Sequence, residues 1–175
     1  MTMLLAAIVC GFLGCEGDGD KPYGFEQVYM PQAARTDTYD VPSGGGEFTH
    51  NFVIEEGEVR IILGVSRAGS GPYKNYSVDI AVDYAATQEF VSEDAGRMIL
   101  PESIYILPEN VTVANGALGE SFYLSVYGSE LKKPVYNNKY LVLCVAVENP
   151  STYELAEESC MTTVVIDVTQ IRKFL

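Results

Sequence analysis

The stretch Val59-Arg-Ile-Ile-Leu-Gly-Val-Ser66 decides the fold of this chain. Val59, Ile61, Leu63 and Val65 occupy every second position in it. Successive side chains of an extended chain point to opposite faces, so this spacing predicts a strand whose inner row faces a core.

The same alternation returns along the rest of the chain. The longer runs that show it are Ser77–Asp83, Ser121–Tyr127 and Thr163–Val168. Tyr140–Val147 is apolar on both faces, which is typical of a central strand. Shorter candidates are Gln27–Met30, Phe48–Ile54, Ile104–Leu107 and Val111–Ala114.

Turn clusters rich in Gly, Asn and Pro separate these runs. The only helical segment that the pattern allows is a turn or two within Thr87–Gly96. Short strands at this spacing predict an all-β fold, an antiparallel immunoglobulin-like β-sandwich of about seven to nine strands. We predict that it forms a single domain at residues 26–175.

The first residues have the composition of an export signal. Met3–Gly14 is apolar and uncharged, Cys15 follows it, and the acidic Glu16–Asp20 comes next. The pattern predicts a lipoprotein signal peptide at residues 1–14, lipidation of Cys15, and an acidic flexible tether at residues 15–25. The run is too short for a transmembrane helix, which needs about 20 apolar residues. One departure is that no Lys or Arg precedes the apolar run.

Charge and composition exclude several functions. The chain has 24 acidic and 11 basic residues, a formal net charge of −13, and 12 Tyr but no Trp. A surface this acidic repels nucleic-acid phosphates and anionic lipid headgroups. We therefore expect no nucleic-acid partner, and membrane contact only through the lipid anchor.

The order of short motifs carries a resemblance to a known family. The motifs begin with Val28-Tyr-Met-Pro-Gln-Ala33, continue through Leu63-Gly-Val-Ser-Arg-Ala-Gly69 and end with Thr162-Thr-Val-Val-Ile-Asp-Val168. Between roughly Glu26 and Val168 the chain resembles the N-terminal β-sandwich domain of unknown function of Bacteroidetes-type surface lipoproteins. That domain often precedes a family-18 glycosidase or a glycan-binding module. The resemblance implies a surface location and a link to glycan capture or processing.

No catalytic constellation is evident in the sequence. Asp79 and Asp83 share one face of a predicted strand without the further Glu that a family-18 glycosidase needs. The single histidine, His50, lacks partners at metal-ligand spacing and is expected to pack within a strand. We therefore predict a protein that is not an enzyme and needs no cofactor or metal.

Cys144 and Cys160 lie near the ends of a predicted hairpin. An exported chain meets an oxidising compartment, so a disulfide between them is one alternative. The other is that Cys144, inside a dense apolar run, is a free and buried residue.

Tyr73 and Tyr76 flank the Gly-rich loop at residues 68–72 and are the first candidates for glycan contact. Their rings could stack on a sugar, and loops on a rigid sheet often carry binding sites. The alternative is that strand tyrosines simply pack on a half-buried sheet surface.

These observations predict a non-catalytic, lipid-anchored module at the bacterial outer membrane, serving as a spacer or accessory domain in glycan capture. We expect it to be exposed at the cell surface, and the periplasmic face of the membrane is the alternative. Its partners would be the membrane, through the anchor, and a polysaccharide or other glycan-utilisation proteins. Two alternatives stay open. One is an adhesin or fimbrial subunit assembled by strand exchange, and the other is an N-terminal fragment of a longer surface glycosidase.

Overall fold

The computed structural model describes residues 26–47, 49–70 and 72–175. The predicted signal peptide, Cys15 and the tether lie outside the described residues, and their assignments stay predictions.

Twelve strands build the described part of the chain. In chain order they are β1 (Gln27–Tyr29), β2 (Thr38–Val41), β3 (Phe52–Glu55), β4 (Glu58–Arg67), β5 (Tyr76–Val82), β6 (Arg97–Ile99), β7 (Tyr105–Ile106), β8 (Asn110–Val113), β9 (Gly119–Tyr127), β10 (Tyr140–Glu148), β11 (Glu154–Leu155) and β12 (Met161–Asp167). The helices are α1 (Tyr84–Ser92), α2 (Gly128–Leu131) and α3 (Val168–Ile171). Short 3₁₀ turns cover Glu102–Ile104, Pro134–Tyr136 and Arg172–Phe174.

The strands form two six-stranded sheets. In the first, the order is β11-β1-β4-β9-β7, and β3 also pairs with β4. In the second, the order is β2-β12-β10-β5-β8, and β6 also pairs with β10. The inner faces of both sheets contribute to one hydrophobic core, so the predicted all-β sandwich is confirmed.

The stretch that decides the fold lies at the centre of the first sheet. Val59, Ile61, Leu63 and Val65 of β4 are at most 1% exposed, as the alternation predicts. β4 pairs with β9 along nine residues of register. β10 holds the matching place in the second sheet, where its residues Leu141 to Val147 are all buried.

The sequence pattern missed β2, β6 and β11, and these three strands make the parallel pairs of the fold. β11 runs parallel to β1, β6 to β10, and β2 to β12. Each has at most four residues, too few for a clear alternation. The other strand pairs are antiparallel, as the predicted antiparallel sandwich requires.

Helix α1 also begins earlier than expected. Asp83, predicted to lie on a strand face, is the N-cap, and its Oδ1 accepts a hydrogen bond from Ala86 N–H at 2.8 Å. An N-cap carboxylate satisfies a donor that the first turn leaves unpaired. The helix packs against the outer face of β10.

The disulfide alternative is not realised, because Cys144 and Cys160 are both free. Cys144 lies opposite Thr163 in the β10–β12 register. Thr163 is three residues after Cys160 along the chain. An odd separation along an extended chain turns side chains to opposite faces. Cys160 packs against the core, whereas Cys144 Sγ lies 3.4 Å from Thr163 Oγ1 beneath α1. The alternative of a free, buried Cys144 describes the structure.

None of the helices in the described part is both long and apolar enough to cross a membrane.

Candidate functional site

Tyr76 is a core residue, so its prediction as a glycan contact was wrong. It is 1% exposed, and its ring packs edge-to-face on Tyr153 with centroids 5.2 Å apart. Burial raises the pKa of the Tyr76 phenol to about 12. The side chain follows the inner row of β5 and cannot meet a ligand from solvent.

Tyr73 is half-buried and covers a buried cation. The guanidinium of Arg67 lies 4.2 Å from the Tyr73 ring centroid and 4.8 Å from that of Tyr153. Arg67 Nη1 donates to Glu26 Oε1 at 3.2 Å, and the Arg67 side chain is fully buried. Cation–π contact is strengthened by removal from water. Tyr73 therefore stabilises Arg67, and its contact with glycan stays a prediction.

A break in strand pairing along β4 borders a cleft. On one edge, β1 pairs with Ser66 and Arg67, and β3 pairs with the residues up to Ile61. Between them, the backbone of Ile62 bonds to a loop carbonyl and to a side-chain hydroxyl. Its N–H donates to Asn51 O at 3.0 Å, and its carbonyl accepts from the Tyr39 hydroxyl at 3.0 Å.

Pro31 explains why β1 stops short. If the register of Tyr29 with Ser66 were continued, Pro31 would lie opposite Gly64. Proline has no N–H to donate, so the ladder cannot extend there. Backbone groups alternate between strand edges, and Gly64 therefore presents its N–H and C=O to the same edge as Ile62. Gly64 is buried, and the Gln32 side chain lies close to it, with Nε2 3.9 Å from where a Cβ would be.

The polar cleft, as we name it, lies over this break and has a volume of about 480 Å³. Its lining includes Gln32, Arg35, Tyr39, Asp40 and Asn51. These residues offer amide, hydroxyl and charged groups around one aromatic ring. Burial raises the pKa of the Tyr39 phenol, and hydrogen bonds to neighbouring side chains partly offset that rise.

Asn51 holds the cleft wall together. Its Nδ2 donates to Asp40 O at 2.8 Å, and its Oδ1 accepts from Ser43 N–H at 2.8 Å. One amide therefore fixes the loop before β3 against β2. Its polar groups are already used, so its role is to position the wall rather than to contact a ligand.

Gln32 has a polar atom without a partner. Its Oε1 is buried and accepts no hydrogen bond from the described residues. A buried acceptor left unpaired is unfavourable by about 1–3 kcal/mol. The residue lines the polar cleft, so a donor supplied by a bound molecule would relieve that cost.

The described lining of the polar cleft contains a single carboxylate, that of Asp40. Glycoside hydrolysis uses two carboxyl groups placed across the scissile bond. Elsewhere in the described part, no group of three His, Cys, Asp or Glu side chains is placed to hold a metal ion.

Sequence reasoning missed Gln32, Tyr39 and Asn51 as members of one site. A usable signal existed in Pro31, since a proline directly after a short strand marks the point where pairing ends. The partners come from two loops and an edge strand, so no spacing rule joins them.

Solved structures share this fold. A protein of unknown function from Bacteroides ovatus matches with a TM-score of 0.58 and 12% identity, over 82% of this chain and 52% of its own. A proposed carbohydrate-binding protein from Bacteroides ovatus matches with a TM-score of 0.55 and 14% identity, over 81% and 36% respectively. A multidomain protein including DUF1735 from the same species matches with a TM-score of 0.51 and 16% identity, over 72% and 43%.

These likenesses show the fold alone, because the identities are low. This chain spans between 36% and 52% of the length of these three proteins. No family model matches the chain, and no curated protein matches it in sequence.

Proposed function

We propose that this protein is a non-catalytic module that binds glycan through the polar cleft, as an accessory part of glycan capture at a bacterial surface. The observation that carries the proposal is the buried, unpartnered Oε1 of Gln32 among the amide, hydroxyl and charged groups that line the polar cleft. Hydroxyl groups both donate and accept, so a hydroxyl-rich ligand can satisfy a mixed set of this kind.

The charges around the polar cleft favour a neutral or weakly charged glycan. Arg35 and Asp40 both line it and are both exposed. The chain as a whole carries a formal charge of −13, which repels strongly anionic polysaccharides over distances near the Debye length, about 8 Å at physiological salt.

Surface attachment through Cys15 is part of the same proposal. The apolar run before Cys15 and the acidic stretch after it support an acylated, exported chain. The tether would then hold the sandwich a short distance from the outer membrane. The proposed carbohydrate binding of one structural neighbour supports the glycan assignment.

A second candidate is a domain of a longer surface protein that processes glycan. The observation that favours it is that the structural neighbours are longer than this chain. In that arrangement the polar cleft would serve to bring the substrate to a catalytic domain.

An array of neutral and acidic glycans, probed with the wild-type protein and with Gln32→Met, tests the proposal. Methionine keeps the size of glutamine and removes its polar atoms, so we expect about a tenfold weaker affinity for the bound glycan. The control is Gln88→Met, which makes the same change on the exposed face of α1. Absence of binding by the wild-type protein, or equal binding by Gln32→Met, would contradict the proposal.

A further inference from the structure

A second break in strand pairing lies at the side of the sandwich where β8 and β7 are the edge strands of the two sheets. β8 pairs with β5 only from Tyr76 to Asp79, and the last bond on this edge is from Ile80 N–H to Glu109 O, at 2.8 Å. Backbone groups two residues apart face the same edge. Val82 therefore presents its N–H and C=O beyond the end of β8, where no described strand pairs with β5.

The other wall of this break is the edge of the first sheet. β7 pairs only with β9. Successive residues of a strand direct their backbone groups to opposite edges, so one of its two residues turns N–H and C=O away from β9. Val82 at the end of β5 and both residues of β7 line one cleft, so strand ends from different sheets meet there.

We name this the apolar cleft, and its volume is about 510 Å³. Tyr84 and Ile106 line it and are 48% and 51% exposed. The hydroxyls of Tyr84 and Tyr105 lie 3.3 Å apart, which fixes two aromatic rings at one end. Ile106 lies on the edge strand β7, and an apolar side chain this exposed at a sheet edge is typical of a surface that pairs with another chain.

Carboxylates form the rim of the apolar cleft. Glu102 and Glu109 line it and are exposed, and no Lys or Arg is among its described lining residues. A second copy of this chain would bring its own net charge of −13 to the same place. Like charges oppose such pairing, so the rim favours a basic partner.

We propose that the apolar cleft binds an extended segment of a partner protein in which apolar and basic residues alternate. The segment would add a short strand to the free edges, place its apolar side chains between Tyr84 and Ile106, and direct its basic side chains to Glu102 and Glu109. Main-chain hydrogen bonds supply affinity in this mode, and alternate side chains supply specificity.

The probe is a short blocked peptide of alternating lysine and valine, titrated into the isotope-labelled protein and followed by NMR. We expect saturable shifts at Val82 and at Tyr105, and weaker binding at high salt because the rim pairs are exposed. Ile106→Arg should weaken binding by about tenfold or more, since it adds a charge where an apolar side chain docks. Ile54→Arg is the matched control, because Ile54 is a similarly exposed isoleucine on the edge strand β3.

Two further peptides separate this proposal from its competitors. An acidic counterpart with glutamate in place of lysine should not bind, and a peptide with a central proline should bind about tenfold more weakly because proline removes a backbone donor. Equal binding of either peptide, equal binding by Ile106→Arg, or no shifts at millimolar peptide would overturn the proposal. Glycan binding that is lost in Ile106→Arg would assign the apolar cleft to sugar and would also overturn it.

Discussion

The polar cleft and the apolar cleft both open where a strand loses its neighbour, and different groups line them. At the polar cleft, the exposed backbone of Ile62 is bonded to Asn51 and to the Tyr39 hydroxyl. At the apolar cleft, the edge beyond Ile80 faces exposed aromatic and aliphatic side chains. Polar groups from a loop and from β2 bond to the backbone at the first break, and no described strand pairs with β5 at the second.

This difference decides what each break can bind. A ligand in the polar cleft meets amide and hydroxyl side chains whose wall Asn51 has already fixed, which suits a small hydroxyl-rich molecule. A ligand in the apolar cleft meets unpaired backbone between apolar side chains, which suits another extended chain. The same event, an interrupted ladder, thus supports two kinds of recognition in one sandwich.

The largest expected effect is release of the whole protein, with both clefts, from the membrane. Cys15→Ala should release the protein into the soluble fraction, because acyl chains on Cys15 are the proposed anchor. The control is Cys10→Ala, which changes a cysteine that follows the bulky Val9 and should leave the protein membrane-bound. Cell fractionation and immunoblotting measure both. Equal membrane retention of the two variants would contradict the anchor.

A smaller effect should break the polar cleft alone. Asn51→Ala removes the amide that bridges Asp40 O and Ser43 N–H, so we expect a loss of about 2 kcal/mol in the free energy of unfolding. Urea denaturation measures it. Asn110→Ala, at an exposed position of β8, should cost less than about 0.5 kcal/mol. A loss of that smaller size in Asn51→Ala would show that the wall does not depend on this amide.

The sequence predicted the parts of the fold that rest on repeated burial. The inner row of β4 and the central strand β10 were both recovered, because long strands repeat the alternation often enough to be read. The clefts were not predicted, since each is a place where a repeat stops. Tyr76 shows the limit well: its identity suggested a sugar contact, and only its register in β5 reveals that it lies in the core.

The lipid anchor and the outer-membrane location stay predictions, because they rest on Cys15 and its flanks. For Tyr73, the missing information was Arg67, which occupies the next inner position of β4 after Val65. An arginine at that place interrupts the alternation of apolar residues, and the sequence pattern does not indicate that its side chain is buried. The contact between the two residues depends on the return of the loop after β4, which spacing does not specify.

A reciprocal test sharpens the comparison between the clefts. Tyr84→Ala should weaken binding of the lysine–valine peptide by about tenfold and leave glycan affinity unchanged. Gln32→Met should do the reverse, because each variant removes a group from one cleft only. Titrations of both variants with both ligands measure this. Loss of both activities in either single variant would show that the clefts are coupled or that the variant is misfolded, and thermal unfolding distinguishes these outcomes.

The smallest expected effect uses alkaline pH to compare a tyrosine from each cleft. Burial, and then the hydrogen bond with Tyr84, raises the pKa of Tyr105 above its ordinary value of 10.0. Burial raises the pKa of Tyr39 from the same value, but its hydrogen bonds oppose the rise. A raised pKa in the folded state means that the neutral phenol is favoured by folding. Its stabilising contribution is therefore complete below about pH 10 and is lost as the pH rises towards the folded-state pKa.

Tyr105→Phe should abolish the part of the alkaline fall in the free energy of unfolding that comes from Tyr105. That part is about 1 kcal/mol near pH 11 after allowance for solvent screening of a half-buried group. Tyr39→Phe should remove less, because hydrogen bonds in the polar cleft favour the ionised phenol of Tyr39. Urea unfolding at pH 8 and at about pH 11 gives the change in stability for the wild-type protein and each variant. If the two variants reduced the alkaline loss equally, the polar and apolar surroundings would be equivalent for a phenol, and the contrast between the two clefts would not extend to their electrostatics.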